Sequence, residues 1–285
     1  MAPSQPTASL SADAIHAWET IAQYWDATIT KHGNKYWRRL QEPCLARLLG
    51  PALQRPGCKA LDLATGNGLC ARWLARNGAH SVLATDGTDE MLRLADAHRQ
   101  TEEEPWKSKV RLQKLDVTSA ADFARLEQND DGDFGFDIVL MNMAAMDVAD
   151  LEPLAGALGK GLLAKDGVFV ATLLHPVFST SGAAINIQRR FNPATGEEEI
   201  TRSRVITEYM DVPPAKGIAV DGQPAKQLYF HRPMHELFAT FFRHGLVMDA
   251  MEELAFSEDD GEERIESTSN FTQLPIILAF RMRLP

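Results

Sequence analysis

The chain has 285 residues, a formal net charge of −10, and 45% hydrophobic against 24% charged residues. Those fractions exclude a collagen-like or disordered chain and describe a soluble globular one, long enough for one large domain or two small ones. The acidic balance argues against a nucleic-acid backbone as the main partner, and no apolar run reaches the ~18 residues of a membrane span.

Residues 1–12 are small, polar and Pro-containing. They read as a flexible tail, without the basic start and apolar core of a secretory leader. Ile15, Trp18, Ile21, Ala22, Trp25 and Ile29 then recur every three or four residues and predict a helix. Its two tryptophans pack against another helix or form a lid over a pocket. Thr30–Tyr36 holds Gly33-Asn34 and reads as a turn. A short helix with Leu45, Leu48 and Leu49 follows and stops at Gly50, which completes a helical cap over 13–50. Cys44, Cys58 and Cys70 form neither a CxxC pair nor a disulfide framework, so a reducing, cytoplasmic setting is expected.

Strand and helix now alternate. Strands are predicted at Lys59–Leu63, Ser81–Thr85, Val110–Leu115, Phe136–Asn142 and Val168–Leu174. Helices are predicted at Leu69–Arg76, after the N-cap Thr88, at Ala120–Leu126 and around Leu151, Leu154, Leu158 and Leu162. An acidic turn, Asn129–Asp133, precedes the fourth strand. This alternation implies an α/β fold with a doubly wound, mostly parallel sheet and right-handed crossovers. Ligands of such sheets sit at the carboxyl ends of the strands. Residues 176–230 break the pattern and are expected to be a substrate-side insert, with one strand at Glu199–Met210. Pro233 opens a helix bearing Leu237, Phe238, Phe241 and Phe242. Two strands, Leu246–Leu254 and Leu274–Leu284, close the chain around an acidic stretch, Ser257–Glu266, read as a solvated hairpin loop. A single domain over 13–285 follows.

The strongest motif is Leu61-Asp62-Leu63-Ala64-Thr65-Gly66-Asn67-Gly68-Leu69, between the first strand and first helix. Glycines there let backbone approach a ligand, and the helix start offers free N–H groups. Gly66-x-Gly68-x-x-Ala71 satisfies a dinucleotide fingerprint, with Asp86 as the ribose acid. Asp62-x-Ala64-x-Gly66-x-Gly68 equally fits an S-adenosylmethionine loop with one glycine replaced by alanine. Asp62 precedes the glycines, where a carboxylate suits an ammonium and opposes a pyrophosphate. Asp116 ends the third strand, where it and the next N–H can hold adenine. Acids at three successive strand ends favour the sulfonium nucleotide.

With these residues the sequence resembles the class I S-adenosylmethionine-dependent methyltransferases of small molecules. Further shared segments are Tyr24-Trp25-Asp26 with Gly33-Asn34, Asn142-Met143-Ala144-Ala145-Met146-Asp147, Leu174-His175-Pro176-Val177-Phe178 and His231-Arg232-Pro233. The resemblance implies a Rossmann-like, seven-stranded sheet with an antiparallel last strand. It implies S-adenosyl-L-methionine as methyl donor and S-adenosyl-L-homocysteine as product. Asp62, Ala64, Gly66 and Gly68 would wrap the methionine end. Asp86 would accept the ribose hydroxyls, flanked by Gly87 and Met91. Asp116 and Val117 would hold the adenine, and Asn142 and Met143 would lie beneath the sulfonium.

Methyl transfer is an SN2 displacement in which positioning and exclusion of water supply most of the acceleration. His175, just past the fifth strand, and His231 are the candidate bases, since histidine matches proton transfer near neutral pH. Tyr24, Trp25, Asn34, Tyr36, Trp37 and Phe178 are candidate substrate contacts, and Tyr209 and Tyr229 could join them. The expected acceptor is an oxygen or nitrogen of a small organic molecule, a specialised metabolite being one class. No Cys/His cluster has metal-ligand spacing, so no metal is expected. The competing readings are an NAD(P)-dependent oxidoreductase and a non-methylating S-adenosylmethionine-binding descendant of the fold.

Overall fold

The computed structural model describes residues 7–128 and 135–285. In chain order the helices are α1 (Thr7–Ile29), α2 (Glu42–Leu53), α3 (Leu69–Arg76), α4 (Asp89–Gln100), α5 (Trp106–Lys109), α6 (Ala120–Gln128), α7 (Glu152–Ala157) and α8 (Met234–Phe242). The strands are β1 (Lys59–Leu63), β2 (Ser81–Asp86), β3 (Val110–Lys114), β4 (Phe136–Asn142), β5 (Leu163–Leu174), β6 (Ala183–Phe191), β7 (Glu198–Ile206), β8 (Ala215–Gly217), β9 (Gln227–Tyr229), β10 (Val247–Leu254) and β11 (Ile277–Arg283).

Seven strands form one sheet in the order β10-β11-β5-β4-β1-β2-β3. The five from β3 to β5 are parallel, and β11 runs antiparallel to both β5 and β10. Leu63 pairs with Thr85 and Met141, Asp86 with Lys114, and Asn142 with Thr172. The carboxyl ends of the parallel strands are therefore level. Chain order reverses between β1 and β4, the switch point where such sheets bind ligands.

Alternation along the strands sends side chains to two cores. Leu61, Leu63, Val139, Met141, Phe169 and Phe280 face α7, the turn after it and α8 through Leu154, Leu158, Leu237 and Phe241. Ala60, Val82, Ile138, Leu140, Val170 and Ile277 face α2 and α3 through Leu45, Leu48, Leu49 and Leu74. Burial on both faces explains why these strands read as continuous apolar runs.

Several expectations need correction. The expected tail overlaps α1, which begins at Thr7, while residues 1–6 lie outside the described residues. The helix after Tyr36 does not stop at Gly50, because its buried face continues through Ala52 and Leu53. A π-helical turn, Trp37–Gln41, leads into it. β5 starts at Leu163, five residues before its predicted beginning, and passes through a left-handed Asp166 with φ 64°. The expected acidic turn Asn129–Asp133 lies outside the described residues. The strand expected at Glu199–Met210 is β7, ending earlier at Ile206, and the insert goes beyond it to form two antiparallel hairpins, β6–β7 and β8–β9. Ser257–Glu266 is not simply solvated. Asp260 is buried and bonded by Arg39 and Ser257, and Lys35 reaches its carbonyl and Glu262 at 2.5 and 2.8 Å. That stretch is thereby tied onto the N-terminal helices. No helix among the described residues is long and apolar enough to cross a membrane.

Candidate active site

At the carboxyl ends of β1, β2, β3 and β4 lies a cavity of about 660 Å³. α1 crosses above it with Ala14, Ile15, Trp18 and Trp25, and the insert closes it with Ile218–Asp221, Gln227 and Tyr229. Trp18 and Trp25 meet edge to face at 5.2 Å and pack on Met91 and Leu94 of α4. The tryptophans thus do both things expected of them, packing and roofing.

The glycine loop is built by backbone bonds. Thr65 N–H donates to the Thr85 carbonyl at 2.8 Å, which stitches the loop to β2. Ala64, Gly66 and Gly68 all have positive φ, 52°, 56° and 76°. A left-handed alanine costs about 1–2 kcal/mol, so Ala64 holds strain that a glycine there would not. A Cβ on Gly66 would meet nothing within 4 Å, whereas one on Gly68 would press Ala95 and Arg72 at 3.1 Å. Gly66 serves the turn and faces the cavity. Gly68 serves the packing of α3 on α4 and does not line the cavity. Asp26 clamps the loop from α1, accepting from Asn67 Nδ2 at 2.8 Å and meeting His98 Nε2 at 2.6 Å.

Asp62 is buried beneath the loop and accepts from the Thr65 hydroxyl at 2.5 Å. Burial pushes its carboxyl up to about 7, against the Thr65 and Ala71 hydrogen bonds that favour the charge. Asp86 accepts from Gly66 N–H at 2.9 Å through Oδ2, and from Thr88 N–H and hydroxyl at 3.0 and 2.9 Å through Oδ1. Burial raises its pKa too. One carboxylate therefore holds the loop and the start of α4 together, and Oδ2 keeps acceptor capacity on the cavity side. Gly87 and Met91 line the wall beside it. Asp116 closes a turn by accepting from Thr118 N–H and hydroxyl, both at 2.8 Å. The following Val117 N–H has no acceptor among the described residues, though Val117 is buried and lines the cavity. An N–H without an internal acceptor on a cavity wall is open to a ligand acceptor.

At the end of β4, Asn142 donates to Gln41 at 2.9 Å and accepts from the Thr172 hydroxyl at 2.7 Å. Met143 follows with φ 54° and is held by Thr172 through two bonds at 2.8 and 3.0 Å. Both line the cavity. A strained non-glycine residue fixed by its neighbours is a recurrent feature of active sites.

Trp25, Asn34, Tyr36 and Trp37 also line the cavity. Other expected contacts do not. Tyr24 lies outside, and its hydroxyl donates to the Asp221 carbonyl at 2.5 Å, holding the insert to α1. Phe178 stacks on His175, ring centroids 4.8 Å apart, and lines neither described cavity. His175 itself is buried away from the cavity. Its Nε2 meets Glu253 at 2.8 Å, and its Nδ1 accepts from Val177 N–H at 3.2 Å. Both ring nitrogens are occupied and burial lowers its pKa, so the expected base role has no geometric basis. His231 donates through Nε2 to the Tyr209 carbonyl at 2.7 Å and lines a second, adjoining cavity of about 300 Å³. It is not placed to act in the larger one. Tyr209 receives the Met234 N–H at its hydroxyl and lies outside the larger cavity.

Asp147, Gln227 and Arg232 were not assigned roles from sequence. Arg232 donates to the carbonyls of Ala145, Val148 and Ala149 at 3.2, 2.7 and 2.9 Å, which fixes the turn after β4. Burial lowers its pKa to about 10. Asp147, on that turn, lines the cavity, and its Oδ1 is sealed from solvent and without a partner among the described residues. Burial lifts its carboxyl well above the usual range, and the Gln227 side chain opposes that lift. An acid inside an apolar segment was the available signal. Gln227, in a stretch without periodicity, gave none.

Residues 60–161 match the family described as "Methyltransferase domain". No curated protein matches the chain. Among solved structures, an S-adenosylmethionine-dependent methyltransferase from Mesorhizobium loti is similar at 20% identity and TM-score 0.61, covering 89% of this chain and 100% of its own. The CcbJ methyltransferase from Streptomyces caelestis is similar at 14% identity and TM-score 0.56, covering 95% and 98%. A glycopeptide N-methyltransferase, MtfA, complexed with S-adenosyl-L-methionine, is similar at 13% identity and TM-score 0.52, covering 84% and 92%.

Proposed function

We propose that this chain is a class I S-adenosylmethionine-dependent methyltransferase, the reading that its match to a methyltransferase domain over residues 60–161 supports, and that it methylates an oxygen or nitrogen of a small organic acceptor. The observation that carries the reading is one continuous cavity. It runs from the strand ends beneath Asp62, Asp86 and Val117 to walls built by α1 and the insert. The donor supplies an activated methyl group on a cationic sulfur. Asp62, Ala64 and Gly66 would hold its methionine end, Asp86 its ribose and Val117 its adenine. Asn142 and Met143 would floor the reacting region.

The chain's own contribution is positioning and exclusion of water. Trp18, Trp25 and Trp37 supply apolar walls, and the Tyr24–Asp221 bond holds the insert over the mouth. A cavity of about 660 Å³ suits a nucleotide plus a small acceptor, not a polymer. The glycopeptide N-methyltransferase is one case of this architecture serving a nitrogen acceptor, and a specialised metabolite fits the same chamber. A cytoplasmic location is supported by three buried, unpaired cysteines.

The test is incubation with methyl-labelled S-adenosylmethionine and pools of small amines, phenols and alcohols. Labelled small molecules and S-adenosylhomocysteine in equal amounts are expected. Binding of the nucleotide without transfer to any pool would leave a non-methylating descendant of the fold instead.

A further inference from the structure

We propose that Asp147 is the acceptor-recognition and proton-accepting group of this cavity, and that the acceptor is an amine which binds as its ammonium cation. The inference rests on the methyltransferase reading and narrows its acceptor.

The geometry comes first. Asp147 stands four residues past Met143, on the short 3₁₀ turn that follows β4. Its N–H donates to the Ala144 carbonyl at 2.8 Å, and Phe230 N–H grips the Met146 carbonyl at 2.7 Å. Arg232 adds three bonds to carbonyls of the same turn. The carboxylate is thus held on a rigid mount, not on a mobile loop.

No cation among the described residues pairs with it. Arg232 commits its donors to carbonyls. Arg264, on the cavity wall, meets Asp221 at 3.1 Å and Glu266 at 3.6 Å. Gln227, which also donates to the Tyr229 hydroxyl at 3.0 Å and accepts from Gln223 at 2.7 Å, brings Asp147 a hydrogen bond but no charge. Asp147 thus has no cationic partner among the described residues, and its side chain forms part of the wall of a largely apolar cavity. A carboxylate without a cation on the wall of a largely apolar cavity is costly unless a ligand completes it. An ammonium supplies both the opposite charge and the missing donor. A neutral hydroxyl supplies only the donor. Trp18 and Tyr229 offer aromatic surface in the same chamber.

The chemistry then balances. The ammonium transfers one proton to the Asp147 carboxylate, which frees the nitrogen lone pair. That pair forms the new N–C bond as the methyl C–S bond breaks, and both electrons of the broken bond stay on sulfur. Positive charge moves from sulfur to nitrogen. The proton on Asp147 returns to solvent when the methylated product leaves. Burial, which makes this carboxyl a stronger base than a surface one, suits the step.

The experiment uses the full chain saturated with S-adenosylhomocysteine and titrates it calorimetrically with matched probes. These are phenethylamine against 2-phenylethanol, and tryptamine against tryptophol. The amines are expected to bind about tenfold or more tightly than the alcohols. In Asp147→Asn, an isosteric change, the preference should fall to within about twofold, a tenfold step being about 1.4 kcal/mol. Its affinity for S-adenosylhomocysteine should match the parent, which also reports that it folds. Absence of any amine preference in the parent chain overturns the proposal without needing the variant. A preference that survives Asp147→Asn overturns it as well. Failure to bind S-adenosylhomocysteine would instead overturn the methyltransferase reading beneath it.

Discussion

At the scale of single residues, the site is governed by carboxylates that protein burial has made reluctant to ionise. Asp62 is the clearest case, with a native pKa of about 7 against an ordinary 3.8. Between those values the native state holds a proton that the unfolded chain has lost. Stability of the ligand-free protein therefore falls as pH rises from about 4 to 7 on this account, then levels. A cofactor ammonium near Asp62 favours the ionised form, so binding has the opposite slope. Affinity for S-adenosylhomocysteine should weaken by up to about tenfold per pH unit below 7. Calorimetry from pH 5.5 to 8.5 checks this, and Asp62→Asn should flatten the profile. A profile flat in the parent chain would remove Asp62 from the ammonium subsite. His175 makes the contrasting prediction. With both ring nitrogens bonded inside the protein, His175→Ala should cost stability, about 1–3 kcal/mol in urea unfolding. Methyl transfer by the fraction that remains folded should be unchanged. A rate loss of a hundredfold in a stable variant would restore the histidine to the chemistry.

At the scale of elements, the corner between α1 and α2 sets where the roof lies. Gly33 has φ 77°, and a Cβ there would sit 2.2 Å from Trp37 Cδ1. Gly33→Ala should therefore destabilise the chain by about 2–3 kcal/mol, from backbone strain plus overpacking. Cofactor affinity should fall with it, because Trp37 and Asn34 line the cavity. Urea denaturation with and without S-adenosylhomocysteine measures both effects. Elements of the sheet and its flanking helices were legible in the sequence, since each carries its own period and its own punctuation. Thr88 is such a case, accepting from Met91 N–H as an N-cap should. The insert was not legible in the same way. β8 and β9 have three residues each, too few to show alternation, and β6 and β7 keep mixed exposure along both faces. What fixes them is tertiary, such as the Tyr24–Asp221 bond and Phe230 N–H on Met146, and neither leaves a mark on local pattern.

At the scale of the whole molecule, the parallel sheet brings acids from three strand ends to one cavity, and that convergence was readable before any coordinates. Asp62, Asp86 and Asp116 come from three segments, the outer two over fifty residues apart, and all line the cavity. The acceptor side was less readable, because it depends on which distant segment closes over β4. His175 and His231 look equally suited in the sequence, yet one packs beneath β10 and the other turns to an adjoining cavity. Asp147 reaches the chamber because Arg232, 85 residues later, grips the turn that carries it.

The measurement that tests the central claim most directly is calorimetric titration of the chain and of Asp86→Ala with S-adenosylhomocysteine, with NADH as control. Micromolar binding of the sulfur nucleotide alone is expected, weakened by about 1.5–3 kcal/mol in Asp86→Ala. Binding of NADH alone, or an Asp86→Ala variant that folds and binds S-adenosylhomocysteine as the parent does, would contradict the assignment of this cavity.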